Sequence, residues 1–189
     1  MRVSVVIPAL NEEAAIGGVV DEVPRNVVHE IIVVDNGSTD RTGALAAAAG
    51  ARVVHEPARG YGAACLAGAL AAADADIIVF LDGDRNEDPR ELPRVLAPVL
   101  AGQADLVIGS RTRGGAAPGA LTPQQRVGNR VVTVLLRLLY GLSLTDIGPF
   151  RAIPRACCAI SRWSTRPTAG PSRWSSRRRG AGTVSSRCP

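Results

Sequence analysis

Short apolar runs punctuate the first half of the chain, and most end in a polar turn. Arg2 to Ile7 (RVSVVI) reads as a first strand, stopped by Pro8. Glu30 to Val34 (EIIVV) is a second strand that closes on Asp35, and Ala51 to His55 is a third. Ile77 to Leu81 (IIVFL) is continuous and apolar, as in a strand buried on both faces, and it breaks off at Asp82-Gly83-Asp84. Asp105 to Gly109 reads as a fifth strand. Between these runs the period changes to that of helices. One helix opens at Asn11, with its side chain as N-cap, and ends before Pro24. A second follows the Asn36-Gly37-Ser38-Thr39-Asp40 turn, capped by Ser, Thr or Asp, and stops at Gly50. A small-residue helix begins at Gly60-Tyr61-Gly62 and runs to Ala73. Pro89 to Leu100 opens on proline, and Pro93 and Pro98 make it irregular. After a Gly/Pro-rich loop from Arg111 to Pro123, Gln124 to Leu139 is amphipathic.

Strands alternating with helices predict an α/β fold with a doubly wound, mostly parallel sheet. Right-handed crossovers put the C-terminal ends of parallel strands on one edge, where open α/β sheets bind ligands. Glu12, Asp35, Asp82 and Asp84 therefore converge on one crevice. Asp82-Gly83-Asp84 alone reads equally as a solvated acidic turn or as a site for a divalent cation carrying phosphate oxygens. Convergence of the other acids favours the second reading, and Arg111 and Arg126 can balance the charge of a diphosphate there. Neither Gly-x-Gly-x-x-Gly after the first strand nor a Walker A sequence is present, so a dinucleotide fingerprint and a P-loop are excluded.

Charge divides the chain. Before residue 151, 13 Arg face 17 acids, a net of −4; from Arg151 onward there are nine Arg and no acid, a net of +9. No secretory leader is expected, and Val131 to Tyr140, interrupted by Arg137, is too short to span a bilayer. The four cysteines (65, 157, 158 and 188) show neither zinc spacing nor a disulfide framework, which suits a reducing cytoplasm.

The pieces VVIPALNEE, IIVVDNGSTD, FLDGD and VIGSR, in this order, resemble family 2 glycosyltransferases of the GT-A fold. GALTPQQRVGN, LLRLLYG and TDIGPFRAI are similar to the branch of dolichol- or polyprenol-phosphate sugar synthases. The resemblance spans residues 1–153 as one domain and implies a metal-dependent inverting transfer of a sugar from a nucleotide-diphosphate sugar to a lipid phosphate. By it, Pro8, Ala9, Asn11 and Glu12 line the nucleotide pocket, with Glu12 near the ribose, and Asp35 meets the base. Asp82 and Asp84 hold Mg2+ or Mn2+, with Asn86 offering an oxygen; neighbouring Arg85 either weakens the metal or reaches a phosphate. Arg111 and Arg126 bind phosphates, and Asp146 lies in the acceptor-side motif, the candidate base for a hydroxyl acceptor. The implied place of work is the cytoplasm, peripheral to the inner face of the membrane, with no nucleic-acid partner. The alternatives are a non-catalytic nucleotide-sugar-binding module and a nucleotidyltransferase, although PALNEE lacks the Gly-rich loop of the latter.

Residues 154–189 depart from the family as a basic tail without periodicity, expected to be irregular and to leave the fold incomplete at this end. Pairing the third base of each codon with the first two of the next, with synonymous bases chosen freely, converts Thr165 to Pro189 into DPTYGWPVEMVIKAARRGYRIVEVP, the segment with which such relatives continue. The expectation is a frameshift near residues 154 to 157 that impairs the acceptor half; the rival is a tail that binds anionic lipid or RNA.

Overall fold

The computed structural model describes residues 1–109 and 148–158, the single positions 128 and 134, and two short segments at 175–177 and 185–187. Strands β1 (Val3–Ala9), β2 (Glu30–Asp35), β3 (Arg52–His55) and β4 (Ile77–Phe80) are parallel, and β5 (Val107–Ile108) and β6 (Arg151–Pro154) complete a sheet of order β3-β2-β1-β4-β6-β5. The expected mostly parallel sheet is present, with one addition. Strand β6 runs antiparallel between β4 and β5, in register Phe80↔Arg151 and Ile108↔Arg151. RAIP is a four-residue stretch with Arg at one end and Pro at the other, so its pattern gave no strand signal.

Apart from Ser4 and the ends of β2, the central strands are apolar because both faces are covered. Val5, Ile7, Ile31, Val33, Ile77 and Val79 point into one core, shared with α1 (Ile16–Glu22), α2 (Thr42–Ala48) and α4 (Leu92–Leu100). The alternate residues Val6, Ile32, Val34, Ile78 and Phe80 point into the other, covered by α3 (Tyr61–Ala71). Helix α3 packs so closely that Gly68 lies directly on Val6 and Val34.

Three expectations are corrected here. Helix α1 begins at Ile16 rather than Asn11, with Ala15 at the N-cap and no side-chain cap. Asn11 instead adopts φ 58°, a left-handed conformation that Asn tolerates, and leads the chain across to the next turn. The segment from Pro89 starts as a 3-10 turn (Pro89–Glu91) capped by the Asp88 side chain before α4 begins. The tail, expected to be irregular, contributes a small antiparallel pair, β7 (Ser175–Arg177) with β8 (Ser185–Arg187). Of the expected helix from Gln124 to Leu139 only Gly128 and Val134 are described, and both are helical. Among the described residues no helix is long and apolar enough to cross a membrane. Among the described residues Cys65 and Cys158 are free thiols.

Candidate donor and metal site

The C-terminal ends of β1, β2 and β4 meet, as the right-handed crossovers require. The loop after β1 is laced to the turn after β2. Asn11 N–H donates to Ser38 Oγ (3.0 Å), Thr39 N–H donates to Asn11 Oδ1 (2.8 Å), and Glu12 N–H donates to Thr42 Oγ1 (2.8 Å). The backbone of Glu12 is thereby fixed while its carboxylate faces Asp84, Asp40 and Asp82. A cavity of about 250 Å³ opens here, lined by Pro8, Ala9, Glu12, Asn36, Asp82 and Asp84, with Tyr61 of α3 on its flank.

Among the described residues that line this cavity, the charged ones are all acidic. Desolvation first, then the charges of Asp84, Asp40 and Asp82, push the Glu12 carboxyl above its ordinary value of 4.5. A raised folded-state value means that ionising Glu12 costs stability. That cost is absent below 4.5, where the group is protonated in both states, and full above the raised value. Glu12→Gln is therefore expected to raise the Tm of the ligand-free protein at pH 7. The gain should vanish in melts at pH 4, and an equal gain at both pH values would reject this electrostatic account.

Asp82, Asp84 and Glu87 each offer a carboxylate oxygen within 4.8 Å of the others. Hard oxygen donors grouped this closely suit Mg2+ or Mn2+. The repulsion recorded at Glu12 gives the same indication, because a cation would relieve it. Glu87 was missed in the sequence, where Asn86 was the expected third donor. In the structure the Asn86 amide nitrogen and backbone N–H both donate to Asp84, so Asn86 orients that carboxylate. The turn that separates Asp84 from Glu87 folds the glutamate back, and a D-x-x-E spacing was the signal available.

Arg85, expected to act on the metal or a phosphate, is engaged elsewhere in the ligand-free structure. With φ 63° it turns away from the carboxylates, lies against Gly18 and reaches Glu22 at 3.5 Å. Asp35, expected to meet the base, is held by its own turn and by the neighbouring strand in the ligand-free structure. Its Oδ1 accepts from Ser38 N–H (2.9 Å), its Oδ2 faces His55 Nδ1 (3.3 Å), and it is 8% exposed. Buried Asn36 beside it lines the cavity and staples a loop. Its amide nitrogen donates to the carbonyls of Glu56 (2.9 Å) and Ala58 (2.8 Å), and its oxygen accepts from Gly60 N–H (2.7 Å). An acid at this position could not donate to two carbonyls, which explains why Asn stands there. Gly60, at φ 137°, then turns the chain into α3 and sets Tyr61 with its hydroxyl donating to Asp82 Oδ1 at 3.0 Å.

The structure thus brings Pro8, Ala9, Glu12, Asp82 and Asp84 together, with Asn11 and Asp35 as its scaffolding. Arg111, Arg126 and Asp146 lie outside the described residues.

The sequence model described as Glycosyl transferase family 2 matches residues 4–159. Over 149 residues the chain is 38% identical to the low-salt glycan biosynthesis hexosyltransferase Agl6 of Haloferax volcanii, spanning 76% of this chain and 36% of the relative. Over 154 residues it is 41% identical to an uncharacterised glycosyltransferase of Mycobacterium bovis, spanning 81% of this chain and 67% of that one. It is also similar to the crystal structure of glucosyl-3-phosphoglycerate synthase from Mycobacterium tuberculosis in complex with Mn2+, UDP and glucosyl-3-phosphoglycerate. That match has a TM-score of 0.67 at 36% identity and covers 82% of this chain and 57% of the synthase. The chain therefore spans from about a third to two thirds of the length of these relatives.

Proposed function

The chain belongs to glycosyl transferase family 2, and from that premise we propose that it is a glycosyltransferase drawing on a UDP-hexose with Mn2+ or Mg2+. The observation that carries the reading is the cluster of Asp82, Asp84 and Glu87 at the mouth of a cavity already bordered by Glu12. Similar synthase structures hold UDP with Mn2+ or with Mg2+, and others hold UDP-glucose with Mn2+.

Breaking the bond between the sugar C1 and the diphosphate builds negative charge on the leaving group. Asp82, Asp84 and Glu87 would hold a divalent cation, which when bound would supply Lewis-acid stabilisation of that charge. Pro8 and Ala9 form the floor of the nucleotide pocket, and Glu12 accepts from the ribose hydroxyls. Asn36 and the Asp35 turn keep the rim in place. Arg111 and Arg126 meet the phosphates of donor and acceptor, and Asp146 stands on the acceptor side. The acceptor is a phosphate-bearing molecule, a polyprenyl phosphate or a similar anion. Such an acceptor is already a nucleophile, so transfer with inversion needs no strong base.

Isothermal titration with UDP-glucose, with and without Mn2+, tests the reading. The expected result is heat of binding that requires the metal. Failure of UDP- and GDP-sugars alike to bind with Mn2+ or Mg2+ would overturn it. Mass spectrometry of products formed with polyprenyl phosphate or phosphoglycerate then identifies the acceptor class.

A further inference from the structure

The two faces of the sheet are covered unequally. Helix α4 packs on β5 and β6 from one side, and there Val107 and Ala152 are buried. On the opposite side α3 packs chiefly on β1 and β2. The alternate residues of β5 and β6 on that side, Ile108 and Ile153, are only half-buried. With half-buried Leu66 of α3 they line a groove of about 280 Å³. An apolar sheet face is stabilised by a second layer that buries it. Among the described residues that layer stops at α3, which leaves an apolar strip open over β4, β6 and β5.

Of the described residues that line the groove, Arg151 alone carries a charge. Its guanidinium sits over the Phe80 ring at 5.7 Å, and its Nε is buried with no hydrogen-bond partner. A buried donor without an acceptor costs stability, so the groove favours an apolar occupant that also brings an acceptor to Arg151. The chain as written carries no carboxylate beyond Asp146.

The neighbouring-frame reading of Thr165 to Pro189 contains such an occupant. Its stretch PVEMVIKAARRG has the marks of one helix, with proline at the start, glycine at the end and its basic residues in the second half. Val, Val, Ile and Ala recur in it at i, i+3, i+4 and i+7, a single apolar stripe. Its one Glu borders that stripe. Cys158, immediately after the expected frameshift, lines the groove, so the segment would start beside it.

We propose that this groove is the seat of that helix. Its apolar stripe covers Leu66, Ile108 and Ile153, its Glu accepts from Arg151 Nε, and the second layer over β4, β6 and β5 is thereby closed. The proposal is independent of the sugar and the metal that the donor cavity takes.

The test supplies the segment in trans. A fluorescent peptide DPTYGWPVEMVIKAARRGYRIVEVP is titrated with the full chain and followed by anisotropy. The expected Kd is on the order of 10 µM, because the peptide must order itself on binding. A peptide of this chain's own residues 165–189 should not bind. Leu66→Asp, in the groove, should weaken binding about 10-fold or more, since it places a charge against the apolar stripe. Leu70→Asp, exposed on the same helix and outside the groove, should leave binding unchanged. Thermal melts show whether Leu66→Asp folds, and a peptide with its Ile replaced by Asp makes the same comparison on the unaltered chain. Replacing the peptide Glu by Gln should cost about 10-fold against the wild type and nothing against Arg151→Met. Equal loss against both would overturn the pairing with Arg151. No binding of the peptide to the wild type, or equal binding of the peptide with its Ile replaced, would overturn the proposal. So would binding of vesicles carrying polyprenyl phosphate that Leu66→Asp abolishes while the peptide fails to bind, which would make the groove a lipid site.

Discussion

Asp84→Ala is expected to abolish metal-dependent binding of the nucleotide sugar and to lower kcat/KM by about 1000-fold, equivalent to about 4 kcal/mol of transition-state stabilisation. The size follows from where the carboxylate stands. Asp84 belongs to both the three-carboxylate cluster and the lining of the donor cavity, and among neighbouring charges it acts most strongly on Glu12. Its own carboxylate is oriented by two donors from Asn86. Removing it takes away a ligand and the charge that attracts the cation, while the exposed position leaves packing untouched. Tm of the ligand-free variant should therefore equal or exceed that of the wild type, since repulsion on Glu12 falls. Asp88→Asn is the control. Asp88 lies four residues on but is paired with Arg90 (2.9 Å) and caps the turn at Pro89. Its loss should cost some stability and leave Mn2+ affinity unchanged. Equal loss of binding in both variants would mean that general acidity, not ligation, draws the metal; retained binding in Asp84→Ala would reject its role.

Much of the site was legible because its parts lie at strand ends. Unbroken apolar runs such as IIVV and IIVF fit strands buried on both faces, and alternating with helices they point to parallel strands, whose shared edge collects Glu12, Asp82 and Asp84. What stayed hidden depends on contacts between distant segments. Asn11 carries an N-cap signature, yet its hydrogen bonds go to Ser38 and Thr39 across the loop rather than forward into α1. Asn36 showed in the sequence only as the start of a turn; its reason is the pair of carbonyls some 20 residues away. Strand β6 was missed because its partners, β4 and β5, define it more than its own four residues do. Local spacing put Arg85 beside the metal pair, but not the positive φ that directs it over Gly18 to Glu22.

The largest stability effect is expected at Gly68, far from any charge. A Cβ added there would overlap Val6 Cγ1 and approach Val34 Cγ2 at 2.9 Å. Both valines are fully buried on central strands and have restricted rotamers, so neither can give way. Gly→Ala in a helix ordinarily gains about 0.5–1 kcal/mol in backbone entropy. Overpacking of this kind costs about 1–3 kcal/mol and sometimes more, and with two rigid neighbours the upper end applies. The net expectation for Gly68→Ala is a loss of about 2 kcal/mol, or roughly 4–8 °C in Tm for a chain of this length. Gly62→Ala is the matched control, because it lies on the same helix with nothing within 4 Å of the added Cβ. It should be neutral or stabilising. Helix α3 can relieve the clash at Gly68 only by moving off the sheet, and Tyr61 at its first turn would move with it. Gly68→Ala should therefore also weaken Mn2+ binding in the fraction that remains folded, through the lost Tyr61–Asp82 hydrogen bond. A melt showing Gly68→Ala as stable as Gly62→Ala would mean that α3 packs less tightly than the Val6 and Val34 contacts require.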